Sequence, residues 1–152
     1  MNLSGKMLLT ALTVVCAHPV IVQTQHKLLS GIPKPAFSPM LTVGDTVYVS
    51  GTLGRSANSQ NQSREAEARI VLDNIKAGLQ ARGLTMDDLV SVQVFSTDLG
   101  DYDTFNQVYR LYFHGALPAR AFIGINHLLF GAHFEVMGIA AKGASSKKLA
   151  EP

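Results

Sequence analysis

An arginine set in an apolar stretch is the residue of this chain whose chemistry most needs an explanation. Arg120 lies in "LPARAFIGI", Leu117 to Ile125, among Ala, Phe, Ile and Gly. A guanidinium does not give up its charge, so burying one is costly unless a carboxylate or a bound anion meets it. The residues alone leave two partners open. One is Glu135, in the last apolar run "HFEVMGIAA", which would pair with Arg120 across neighbouring strands. The other is the acid group of a ligand. Three histidines, His114, His127 and His133, fall near loops and strand ends around these runs, and a nuclease could recruit two of them as acid and base. Nothing in their spacing fixes a geometry, and surface or edge positions account for them more simply. A metal site needs three or four convergent ligands, which neither the lone Cys16 nor any tight His/Asp/Glu pattern supplies.

The elements that must position these groups alternate in period. "HPVIVQT" reads as a first strand, and the Pro/Gly/Ser-rich "KLLSGIPKPAFSPM" reads as a loop that cannot pair regularly. "LTVGDTVYVSGTLGR" gives two short strands around a Gly44-Asp45 turn, ending at Gly51, where a missing side chain permits close approach or marks a bulge. After the polar "SANSQNQ", Ser63 is placed to cap a helix with Glu65 and Glu67 in its first turn. Ala68, Leu72, Ile75 and Leu79 repeat at helical spacing, and Gly83 stops it. "LVSVQVFST" alternates, with Val90, Val92 and Val94 on one face and Ser91, Gln93 and Phe95 on the other. Asp101 is placed to cap a second helix with Tyr102, Phe105, Val108 or Tyr109, and Tyr112 on its apolar side and Pro118 fixing its end. The last two strands are "ARAFIGI" and the run holding Glu135. The order βββαβαββ predicts an α+β domain with two helices layered on one sheet face.

Composition narrows the partners. The 152 residues are 47% hydrophobic and 16% charged, which suits one globular domain with its own core. The formal charge of +2 comes from scattered Lys and Arg apart from the Lys147, Lys148 pair, so no concentrated basic stripe invites a phosphate backbone and a nucleic-acid partner is not expected. A single cysteine excludes an internal disulfide framework. Residues 1–17 hold one early lysine, Lys6, an apolar run from Met7 to Val15 and then Val15-Cys16-Ala17. They read either as an export signal cut after Ala17 or as an extra amphipathic helix or strand, and the run is too short to span a bilayer. An exported location follows from the first reading and a cytoplasmic one from the second. The domain is expected over 18–143, with a polar tail over 144–152.

Taken together, "VYVSG", "IVLDNIKAGLQARGLTMDDLVSVQVFSTDLGDYDTFNQVY", "LPARAFIGI" and "FEVMGIAA" resemble the Rid family of reactive intermediate imine deaminases, the YjgF-like proteins, whose older name is endoribonuclease L-PSP. The resemblance covers about residues 20 to 142, and several spaced motifs agree in order. It implies a chorismate-mutase-like α+β fold with a mixed sheet, a homotrimer with sites in the clefts between subunits, and no cofactor or metal. It implies that Arg120 clamps the carboxylate of an enamine or imine acid, which water converts to a 2-oxo acid and ammonia. Gly51 corresponds to a position where backbone contacts the ligand, and Asn106 and Tyr109 to a helix facing the intersubunit cleft, though their helical spacing also suits packing and capping residues. Phe122, two residues beyond Arg120 on the same strand face, stands where many relatives carry a small polar or Cys residue; it reads either as a pocket wall or as ordinary core.

The departures from the family pattern bear on the chemistry. Active deaminases carry "E-I-E-A-I-A", with the second glutamate steering water, and this chain has "EVMGIAA", with Met137 in that place. A thioether cannot orient or deprotonate water. A tyrosine that often follows proline in the N-terminal loop is Met40 here, after Pro39. Glu135 shares a strand face with Met137 but is displaced by about 6.6 Å along the strand, so as a catalytic candidate it would act on water from a different place; its other readings are a partner of Arg120 or a solvated edge charge. Three functions follow: hydrolytic deamination, non-catalytic binding of small carboxylate metabolites, and the older endoribonuclease reading, against which the missing basic stripe argues.

Overall fold

The computed structural model describes residues 36–55, 58 and 62–147; the expected strand over 18–24, the 1–17 extension and Cys16 lie outside them. The elements below belong to the unit Phe37–Pro152. The chain runs β1 (Met40–Val43), β2 (Thr46–Leu53), α1 (Arg64–Gln80), β3 (Leu89–Ser96), α2 (Tyr102–Arg110), β4 (Ala119–Gly124), β5 (Phe134–Ala141) and a short α3 (Ala144–Lys147). The strands form one mixed sheet in the order β1-β2-β5-β3-β4. Among the described strands only β3 and β4 pair in parallel; β1 with β2, β2 with β5 and β3 with β5 are antiparallel.

Local chemistry accounts for the elements. Gly44, at φ 57°, supplies the left-handed residue of the β1–β2 hairpin. Ser63 caps α1, its hydroxyl accepting from the Ala66 N–H, and Gly83, at φ 72°, follows its end. Asp101 does not cap α2 through its side chain. Its carboxylate accepts from Arg64 Nε at 2.7 Å instead, and Asp98 caps the preceding 3-10 turn through the Gly100 N–H. The second helix stops at Arg110, eight residues before Pro118, so the proline opens β4 rather than closing α2.

The core lies between one face of the sheet and the two long helices. Val47, Val49, Val92, Val94, Phe134 and Val136 meet Leu72, Ile75 and Leu79 of α1 and Phe105 and Val108 of α2. Fully burying a side chain of this kind stabilises by roughly 1.5–3 kcal/mol. Val90 is only half-buried and Leu89 takes the buried place, because the register of β3 against β5 shifts between Leu89 and Ser91. A second shift separates Val49 from Thr52 in β2, beside Gly51, and the strand continues past that glycine to Leu53. The segment expected as a polar tail begins as α3, where Ala144 is buried and the Ser145 N–H donates to Asp88 Oδ1 at 3.3 Å. Among the described residues no helix is long and apolar enough to cross a membrane.

Candidate functional site

Strand register decides which of the candidate residues can meet. Arg120 lies beside Val92 and Phe122 beside Val94, and both valines are buried under the helices. Alternation along β4 therefore sends Arg120 and Phe122 to the helix side. Glu135 lies beside Phe95 and Met137 beside Gln93, on the open side. Arg120 and Glu135 thus face opposite sides of one sheet, and the ion pair between them does not form. Among the described residues no carboxylate comes within ion-pair distance of Arg120.

What holds Arg120 is neutral. Its terminal N–H donates to Asn106 Oδ1 at 2.6 Å, and Asn106 is itself buried. The guanidinium carbon stands 4.7 Å from the centre of the Tyr109 ring, 5.7 Å from Tyr102 and 5.8 Å from Phe122. Three rings over one cation give an electrostatic attraction that orients the fork without neutralising it. The rings also pack on one another: Tyr102 and Phe122 meet edge to face with centroids 5.1 Å apart, and Tyr109 stacks on Phe105 at 5.8 Å. Tyr109 is 2% exposed, and its enclosed hydroxyl has no hydrogen-bond partner. Burial pushes its ionisation far above the ordinary phenol range, the nearby Arg120 charge opposing this only in part.

A hollow of about 300 Å³ opens beside this cation, lined by Tyr102, Asn106, Tyr109, Arg110, Leu117, Pro118 and Arg120. Tyr102, Asn106, Tyr109 and Arg110 are spaced by four, three and one residues, which places them along one side of α2. Tyr102, Arg110, Leu117 and Pro118 were not singled out as site residues from sequence. The signal that would have found the first two is their spacing from Asn106 on the helix.

The remaining candidates sit elsewhere. Gly51 and Glu135 do meet, since a Cβ on Gly51 would overlap Oε1 of Glu135. Met137 lies on the same open face, 38% exposed, lining a shallow hollow of about 240 Å³ with Tyr48, Gln93 and Ile139. Met40 is on the far edge strand, its methyl group packed into the space left by Gly78 on α1. Four strand spacings separate β1 from β4, about 19 Å.

The histidines do not converge. His114 Nδ1 bonds Asp87 Oδ2 at 3.1 Å, just before β3 begins. His133 Nδ1 bonds Glu67 Oε2 at 2.8 Å, and its carbonyl accepts from the Thr97 N–H just after β3 ends. The length of β3, about 26 Å for eight residues, lies between them. Glu67, fully buried, also accepts the backbone N–H groups of His133 and Phe134, so this carboxylate fastens α1 to the start of β5. Among the described residues no group of three His, Cys, Asp or Glu could hold a metal ion.

Comparison with known proteins agrees with this architecture. Residues 30–142 match the family described as Endoribonuclease L-PSP. The chain is 32% identical over 125 residues to mouse 2-iminobutanoate/2-iminopropanoate deaminase, covering 78% of this chain and 93% of that protein. A RutC family protein of Sulfurisphaera tokodaii is 34% identical, with 73% and 93% covered. Among solved structures, RidA from an Antarctic Psychrobacter superposes with a TM-score of 0.66 at 32% identity, covering 72% of this chain and 91% of that one. Escherichia coli TdcF with bound serine gives 0.67 at 28%, covering 74% and 92%. The chain is therefore a member of the Rid family, the YjgF-like proteins also called endoribonuclease L-PSP.

Proposed function

We propose that this protein binds small 2-imino or 2-enamino acids through Arg120 and hydrolyses them to 2-oxo acids and ammonia. The observation that carries the reading is a half-buried guanidinium, oriented by Asn106 and three aromatic rings, that faces a hollow with no carboxylate to neutralise it. An arginine fork held in this way suits a planar acid group, which it grips by two parallel hydrogen bonds. The imine carbon of the bound acid is then fixed for attack. Water adds to the carbon, the C–N bond breaks, and nitrogen leaves as ammonia while the carbonyl of the 2-oxo acid forms. Holding the acid removes much of the entropy cost of meeting water in the right orientation. The mammalian relatives named imine deaminases support this choice of reaction.

The assembly belongs to the same proposal. Within one chain the Arg120 cavity and the Gly51, Glu135 and Met137 group face opposite sides of the sheet, so one site can use both only if two copies contribute. A homotrimer with sites in the clefts between subunits meets that requirement. The exposed Tyr48, Met137 and Ile139 give the open face an apolar surface to bury.

Met137 favours a second reading, a binding protein that takes up carboxylate metabolites without turning them over, since no glutamate stands where the family's water-steering residue is expected. Generating 2-aminoacrylate in situ from serine with a dehydratase, and following pyruvate release, separates the two. Deamination requires this protein to accelerate release and Arg120→Lys to lower the acceleration by about tenfold or more. No acceleration, with 2-oxobutanoate still bound in an Arg120-dependent way, selects the binding protein.

A further inference from the structure

We propose that Arg110 makes this a site for acids carrying a second carboxylate, the 2-imino and 2-oxo dicarboxylates, a narrowing that rests on the Arg120 clamp described above. Two arginines are among the residues that line the same hollow of about 300 Å³, and none of the seven described lining residues is acidic. Neither Arg110 nor Arg120 forms an ion pair among the described residues. Two like charges around a small cavity repel, and a monocarboxylate would neutralise only one of them. A dianion neutralises both, one acid group on each fork.

The placement of the two arginines suits that division. Arg120 is the deeper, half-buried and tied to Asn106, whereas Arg110 is exposed in the last turn of α2 at the rim. Leu117 and Pro118 supply apolar wall for the carbons of a short chain. The volume falls at the lower limit of small-molecule pockets, roughly 300–1,000 Å³, which suits a short acid and not a bulky aromatic one. An arginine in the last turn also complements the helix dipole, but that role would change stability without distinguishing one acid from another.

Calorimetric titration of 2-oxoglutarate and of 2-oxobutanoate, at one fixed ionic strength, tests the idea. The protein should bind 2-oxoglutarate about tenfold more tightly, and Arg110→Gln should abolish that preference while leaving 2-oxobutanoate affinity within about twofold. Equal affinities in the unaltered protein, or an Arg110→Gln variant that weakens both acids alike or neither, overturns the proposal. Arg120→Gln reports on the parent reading separately. If it leaves 2-oxobutanoate binding intact the clamp itself is wrong, and if it abolishes that binding while Arg110 proves indifferent, only the dicarboxylate preference fails. A single cooperative thermal unfolding transition in each variant shows that it is folded.

Discussion

At the scale of single residues, the site combines groups that are well satisfied with one that is not. Arg120 has a hydrogen-bond acceptor and three rings; Tyr109, in the same cluster, encloses a hydroxyl that bonds nothing. Burying such a group without a partner costs free energy, and removing it while keeping the ring recovers that cost. Tyr109→Phe should raise stability by about 1 kcal/mol in urea unfolding and leave carboxylate affinity unchanged, because the cation contacts the ring. Loss of affinity in that variant would show that the hydroxyl reaches the ligand. Met137 offers the complementary test. Restoring a carboxylate with Met137→Glu should raise the rate of pyruvate release from 2-aminoacrylate by about a hundredfold, the usual contribution of a positioned base, if water positioning is what the chain lacks. Arg120 was legible from sequence because a charge in an apolar run demands an explanation. Arg110 was not, since an exposed arginine on a helix looks like any other.

At the scale of elements, the hairpin, both long helices and the last three strands were legible because their apolar periods are clean. The errors fell where one residue breaks a period. The register shift at Leu89 moves Val90 off the buried face, and alternation read from sequence has no means of seeing an inserted residue. The cap assigned to Asp101 failed because Arg64, 37 residues away, takes its carboxylate, a tertiary competitor invisible to local rules. The same limit hid the role of Asp88, which joins the turn before β3 to α3. Burial pushes its carboxyl up, but hydrogen bonds from the Thr85 N–H, the Ser145 N–H and the Thr85 hydroxyl outweigh this and hold it below its ordinary value of 3.8. A carboxyl lowered by folding stabilises above its unfolded value, and that contribution is lost as pH falls through the lowered one. Asp88→Asn should therefore cost about 1–2 kcal/mol at pH 7, and the difference from the unaltered protein should close as urea titrations move below pH 3.8.

At the scale of the whole molecule, helices cover one face of the sheet and leave the other with Tyr48, Met137 and Ile139 exposed. Apolar surface of this kind marks an association face. If the proposed homotrimer forms through it, a charge there, in Ile139→Lys, should lower the mass seen by light scattering from trimer to monomer, with far-ultraviolet circular dichroism unchanged because Ile139 is outside the core. Every described residue that lines the Arg120 hollow comes from positions 102–120, the stretch leading from the start of α2 into β4. Among the described residues that outer strand is hydrogen-bonded to β3 alone. An acid captured between the arginines would thus act as a clasp on one end of this sheet. Backbone amides of 119–124 should exchange with deuterium more slowly once the clasp is closed, while the rate in β2, well inside the sheet, stays as it was.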